Sequence, residues 1–258
     1  MEQTCSLEKK LGKGLASRIA AYDLLDAVHR SDAYANLVFP QILEDSKLEE
    51  RDRAFATELG YSTLRMQGRY DFAIGLVSDR KLSDIDEKLL DVLRLGAHQI
   101  FAMNVPNHAS INETVDLANK VVGKSRGSFA NAIFRNLVKI TDLDKKIDES
   151  NLSNIAKLSI KYSHPEWIVQ SFIDRLGEIG EVELLLATNN NPAKPNLIAW
   201  PGKSTKEELI LEGASEINFV ENGVIANKTP MSYTAIKEKR AGVQDAGSQL
   251  LVEIFHKT

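Results

Sequence analysis

From residue 14 to residue 140 the apolar residues of this 258-residue chain return every three or four positions. That spacing places them on one side of an α-helix. Leu15, Ile19, Tyr22 and Leu25 predict a helix over residues 14–30. Residues 34–43 and 48–66 predict the next two, the latter charged at its start (LEERDR) and apolar through Phe55, Leu59 and Leu64. Residues 69–77 predict a short fourth. Asp84 and Glu87 have capping-box spacing and open a helix through Leu89, Leu93, Ala97 and Ile100, which Pro106 ends. Residues 104–140 then read as two helices separated by a short basic loop, with stripes Ile111, Val115, Ala118, Val122 and Phe129, Ile133, Leu137, Ile140. Ser110 and Glu113 form a second capping-box pair. No β-branched alternation interrupts this half, so it is expected to be all-α, a compact bundle of about seven helices.

The pattern then changes. Residues 141–153 (TDLDKKIDESNLS) are polar without a core-forming period, which predicts a linker and places the domain boundary between 1–142 and 143–258. A helix through Ile160 follows. In YSHPEWIV, Pro165 fits a first helical position, and Gly177 fits the stop of that helix. A short helix over 181–188 leads into the turn-rich NNNPAKP. Beyond it, 197–200, 217–220 and 223–226 are apolar runs of strand length, with a helix between the first two marked by Ser204 and Glu207. These predict a small α/β unit with an antiparallel sheet. The last piece, GVQDAGSQLLVEIFHKT, begins as a turn and becomes a helix whose apolar face has no evident partner in the remaining chain.

Composition narrows the function. The net charge is −4, and residues 1–142 hold 19 basic and 20 acidic groups against 13 and 16 in residues 143–258. Any affinity for nucleic acid therefore rests on local clustering. The single Cys5 excludes an internal disulfide and a multi-cysteine metal site, and its polar surroundings mark it as an incidental thiol. No apolar run approaches the ~18 residues of a membrane span and no signal-peptide core follows the start, so the cytoplasm is the expected compartment, with no membrane partner. Two GKS strings lack the glycine that a phosphate-binding loop needs five residues before the second one; Ala118 and Leu197 stand there. The five histidines, His29, His98, His108, His164 and His256, have no metal-ligand spacing, and no GxSxG elbow occurs. Carboxylate pairs such as Asp84/Asp86 sit at helix starts, where negative charge is favoured. The chain shows no catalytic constellation.

Binding is better supported. Residues 9–22 contain no acid but hold Lys9, Lys10, Lys13 and Arg18. Residues 117–141 contain none either and hold Lys120, Lys124, Arg126, Arg135 and Lys139. These nine are the candidate RNA-binding residues, expected to meet in one patch that neutralises several phosphates. The alternative is two solvated faces that do not meet. Lys237, Lys239 and Arg240, with Tyr233 nearby, form a smaller cluster that reads as a solvated loop.

RDRAFATELGYSTLR, LRLGAHQIFAMNVPNHASINETVDLAN and FANAIFRN resemble the N-terminal domain of the RsmB-type rRNA cytosine-5 methyltransferases, a domain itself similar to the antitermination factor NusB. YSHPEWIV and GVQDAGSQL resemble the next two landmarks of that family, in the same order, so the resemblance covers roughly residues 14–255. It implies a mainly α protein: a NusB-like helical RNA-binding bundle, then a small RNA-recognition-like α/β subdomain. The Rossmann-like methyltransferase domain that follows in the family is expected to be absent. The family's glycine-rich S-adenosylmethionine loop, acidic ribose ligand and two catalytic cysteines have no counterparts here. The chain is therefore expected to carry no cofactor of its own, to be inactive alone, and to recognise RNA, namely small-subunit rRNA. AWPG at 199–202 departs from the Arg-Val-Asn strand common in the family. The competing class is a stand-alone NusB-like factor acting in transcription or as a protein-interaction module.

Overall fold

The structure, a computed structural model, describes residues 13–103 and 105–256. The chain divides between Asn190 and Asn191 into two compact units. In the first, seven α-helices precede residue 140 among the described residues, as the apolar period predicts: α1 (Lys13–Ser31), α2 (Ala35–Asp45), α3 (Glu50–Arg65), α4 (Gln67–Val77), α5 (Glu87–Phe101), α6 (Asn107–Val122) and α7 (Lys124–Leu137). The capping boxes are displaced, however. Asp86, not Asp84, caps α5 by accepting from the Leu89 amide at 3.2 Å. Ser110 lies inside α6, buried, with its hydroxyl donated to Asn107 O at 3.0 Å.

α5 is the axis of the bundle. Every residue from 89 to 99 is buried, so its apolar side chains meet α1, α4, α6 and α7 on all sides. Each fully buried Leu or Val of this core contributes about 1.5–3 kcal/mol. A glycine in mid-helix ordinarily weakens the helix, but a Cβ at Gly96 would stand 2.1 Å from Cε1 of the fully buried Phe134. Only a residue without a side chain lets α7 lie this close.

An element buried on all sides also buries its polar residues, and each finds a partner on another helix. Asp91 accepts from His29 Nδ1 at 2.8 Å, Arg30 Nη2 at 2.9 Å and Arg94 Nη1 at 3.0 Å. Arg94 also forks onto Asp71 at 2.7 and 2.9 Å. Gln99 accepts from Arg18 Nε at 2.9 Å and donates to Thr114 at 3.0 Å. His98 Nδ1 pairs with the Tyr70 hydroxyl at 2.6 Å, and burial lowers its pKa from 6.5 to about 4. The imidazole is thus neutral in the fold and protonates more readily in the unfolded chain. Its contribution is complete above pH 6.5 and is lost as pH falls to 4, by about 3 kcal/mol. The urea midpoint should therefore drop between pH 7 and pH 5, and His98→Gln should flatten that drop; an unchanged slope would refute the assignment.

The expected linker is not one. Asp142 accepts from the Lys145 amide at 2.9 Å and starts α8 (Leu143–Asp148), whose Leu143 and Ile147 are buried in the main core. An apolar pair four residues apart suffices to seat a single turn, even in a segment this polar. α9 (Asn154–Tyr162), α10 (Glu166–Leu176) and α11 (Ile179–Asn189) complete the unit around Leu158, Val169, Val182 and Leu186. The Ser163 Oγ accepts from the Gly68 amide at 2.8 Å, tying this trio to α4. Pro165 stands one position before the first helical residue of α10, its carbonyl accepting from the Ile168 and Val169 amides at 2.9 and 3.1 Å, and Gly177, at φ 79°, stops the helix as expected.

The second unit is a four-stranded antiparallel sheet of order β2-β3-β1-β4: β1 (Asn196–Ala199), β2 (Ser215–Glu216), β3 (Gly223–Ile225) and β4 (Ala241–Val243). Leu197 pairs with Val224 on one side and Val243 on the other. Two short helices, α12 (Lys206–Leu211) and α13 (Thr234–Lys237), pack on it through Leu209 and Ala235. Residues 217–220 are not a strand. Ile217 and Val220 are buried, but the chain turns there, and the pairing residues are the exposed Ser215 and Glu216. The cap of α12 is Thr205 rather than Ser204, whose hydroxyl donates to Arg240 O at 2.9 Å. The final helix, α14 (Ala246–His256), is seated by its start: Ala246 and Gln249 are buried, Leu250 packs beside Ile217 and Val220, and Gln249 Nε2 donates to Leu197 O and Gln244 O. Most of its apolar face is exposed, as the sequence suggests. Leu251 and Val252 remain exposed.

Candidate nucleic-acid interface

α6 and α7 are separated by one residue, Gly123, at φ 88°. There is thus no basic loop; Lys124 and Arg126 lie in the first turn of α7, which contains no acid. Cations at a helix N-terminus oppose the dipole and do not stabilise the helix. Lys124 and Arg135 are eleven residues apart, about three turns, so they share one side of α7, and both are exposed. Arg126 lies on a different side, exposed, paired with Asp86 at 2.9 Å. A pair half in water is held by only about 0.2–1 kcal/mol, so the guanidinium can change partner.

Beyond the end of α7, Lys139 donates to Asn136 Oδ1 at 2.9 Å. It lines a cleft of about 650 Å3 with Lys145 and Lys146 of α8, opposite Leu76 and Val77. The two α8 lysines are 68% and 54% exposed and share Glu149 at 3.8 Å. Sequence reasoning missed both because their segment read as linker. The signal was available: Leu143 and Ile147, four apart after Asp142, mark a helix whose other sides must be solvated.

Other candidates are placed elsewhere. Arg18 is only 4% exposed: its guanidinium donates to Gln99 and to Gly14 O at 2.7 Å and lies over the Phe55 ring, 5.1 Å from the centroid. α1 and α6 do meet, but there Arg18 faces the carboxylate of Glu113. Lys120 is exposed in a groove of about 570 Å3 rimmed by Asp23, Asp45, Glu49 and Asp52, which repels phosphate. Lys9, Lys10 and Cys5 lie outside the described residues, and the side chain of Lys13 is not described. The two acid-free segments therefore form no common patch among the described residues. What the fold places along and beyond α7 is Lys124 and Arg135 on one side, Arg126 on another, and Lys139, Lys145 and Lys146 around one cleft.

In the second unit, Arg240 is committed to Glu208 at 2.6 and 2.8 Å and to Glu238 at 2.8 Å, and the Tyr233 ring is buried. Lys237, the last residue of α13, and Lys239 beyond it are exposed, so the cluster is solvated but begins on a helix rather than a loop. Among the described residues no group of three or more His, Cys, Asp or Glu can hold a metal ion, and no helix is long and apolar enough to cross a membrane.

Known proteins resemble the chain in sequence and in fold. Residues 15–139 match the NusB family. A protein of Mycobacterium tuberculosis strain H37Rv named as a methyltransferase, Rv1407, is 34% identical over 91% of this chain and 53% of its own length. The ribosomal RNA small subunit methyltransferase B of Pseudomonas syringae pv. tomato is 25% identical over 92% of this chain and 53% of its own. The chain thus spans about half the length of these relatives. The crystal structure of PH0851 superposes with a TM-score of 0.64 at 16% identity, over 92% of this chain and 53% of that one, and shares the fold.

Proposed function

Because residues 15–139 form a NusB family domain, we propose that this chain binds RNA as the substrate-recognition portion of a small-subunit rRNA (cytosine-5) methyltransferase. The observation that carries the proposal is the set of exposed cations on the acid-free α7, Lys124, Arg126 and Arg135, continued beyond it by Lys139, in a protein whose total charge is −4. Lysines and arginines that are exposed and hold no buried partner are free to replace counterions on a phosphate backbone, and Lys124 and Arg126 at the start of α7 do not even stabilise their helix. A NusB-like transcription factor, the competing class, accounts for the matched 15–139 but not for a similarity to rRNA methyltransferases that runs over nine-tenths of the chain.

S-adenosylmethionine is the methyl donor such an enzyme implies. The described residues do not fit it. Nucleotide-like cofactors of this size sit on a parallel strand–turn–helix with a glycine-rich turn. The strands here are two to four residues long and antiparallel. The part of the reaction these residues supply is the hold on RNA.

The test is a titration of the chain with a small-subunit rRNA hairpin across a range of salt concentrations. Removing Lys124, Arg135, Lys139 and Lys146 together, each as alanine, should weaken binding by about tenfold or more. It should also lower the salt slope by about three on an unpaired tract, at roughly 0.7 per phosphate contact. An unchanged slope would place the RNA elsewhere. Absence of binding by the unaltered chain would end the proposal.

A further inference from the structure

Beside the α7 cations lies a cleft of different chemistry. α4 ends at Val77, and the Ser78 hydroxyl then accepts from the Arg80 amide at 3.1 Å and donates to Arg80 O at 2.9 Å, which pins the loop. From this position the Arg80 guanidinium carbon lies 5.0 Å from the centroid of the Phe129 ring. Phe129 is half-buried against the main core, so the ring is held from beneath, while Arg80 is exposed. The side of the guanidinium away from the ring is therefore open to a ligand. The pair lines a cleft of about 560 Å3 with Ser83, Asp84, Asp86, Ser125 and Arg126.

The chemistry selects the occupant. A guanidinium resting on an aromatic ring is a flat, weakly hydrated cation, suited to stacking against another π-system. Two arginines and two aspartates balance in charge, so a phosphate gains little in this cleft. A nucleobase gains from both parts: its face stacks, and its amino or imino hydrogens reach carboxylate acceptors, as a cytosine or guanine edge can. Paired bases inside a helix present neither face nor Watson–Crick edge. Resting on the RNA-binding proposal above, we infer that Arg80 and Phe129 form a nucleobase platform, where RNA held along α7 inserts one unpaired base.

The decisive variant is Arg80→Lys, which keeps the charge and removes the plane. Two probes are compared on the full chain: an unpaired RNA oligonucleotide carrying 2-aminopurine, and a fully paired RNA duplex of the same length. Loss of stacking on the guanidinium plane predicts a loss of about tenfold for the unpaired probe, with its fluorescence quenching on binding abolished. Affinity for the duplex and the salt slope should not change. Equal affinity of Arg80→Lys and the unaltered chain for the unpaired probe would overturn the platform, and so would an equal loss on both probes. In either case the unaltered chain still binds, and the RNA-binding proposal stands. If the unaltered chain binds neither probe, both proposals fall together. Arg80→Ala, at an exposed position, is the second variant and should lose at least as much affinity.

Discussion

Gly96→Ala is expected to destabilise the first unit by about 3 kcal/mol. The added Cβ would stand 2.1 Å from Cε1 and 2.5 Å from Cζ of Phe134, a ring with no exposed surface into which it can retreat. The helix propensity gained by alanine, about 1 kcal/mol, does not offset that overlap. Urea unfolding at neutral pH measures it. Gly96→Ala combined with Phe134→Leu should recover part of the loss, because the two positions share one space and their effects are then coupled. A variant Gly96→Ala as stable as the unaltered protein would mean that α5 and α7 do not approach as described.

Asp91→Ala should cost about 3–5 kcal/mol, the usual consequence of leaving buried cations without their counter-charge. Burial alone would raise the Asp91 carboxyl; the hydrogen bonds and charges of His29, Arg30 and Arg94 outweigh it and hold the group below its ordinary value of 3.8. A lowered carboxylate pKa gives stability that is present above the unfolded value and disappears as pH falls through the folded one. The loss from Asp91 therefore begins only below about pH 4, after His98 has made its own contribution between pH 6.5 and 4. Asp91→Ala should lower the urea midpoint strongly at pH 7 and remove the steepest acid limb. Asp71→Ala should do less, since Asp71 is 23% exposed and water can replace it beside Arg94.

The helices before residue 140 were legible because each shows one apolar stripe, and a stripe needs no knowledge of its partner. α8 was missed because its stripe is only two residues long. β4 was missed for a similar reason: Ala241, Gly242 and Val243 have too little side chain to mark a strand, and it is the ladder with β1 that makes them one. Residues 217–220 show the reverse. Ile217 and Val220 are apolar because they are buried, and burial was mistaken for strand pairing. At the candidate site, charge could be counted along the chain but not assigned a side. Arg18 and Arg135 look alike in sequence. One faces Gln99 inside the bundle and the other faces water, and that difference depends on which stripe of α1 or α7 each occupies. Arg80 carried no signal at all, since its value lies in Phe129, forty-nine positions away, beneath it.

The one-residue joint at Gly123 sets a limit on how this protein can vary. Loops between helices usually absorb insertions and deletions without harm. Here a single added residue would turn α7 by about 100° against α6, swinging Phe134 out of the core and re-aiming the side that Lys124 and Arg135 share. A collection of length variants should therefore tolerate changes on either side of this pair of helices and reject them between residues 122 and 124, where the chain carries its phase from one helix to the next.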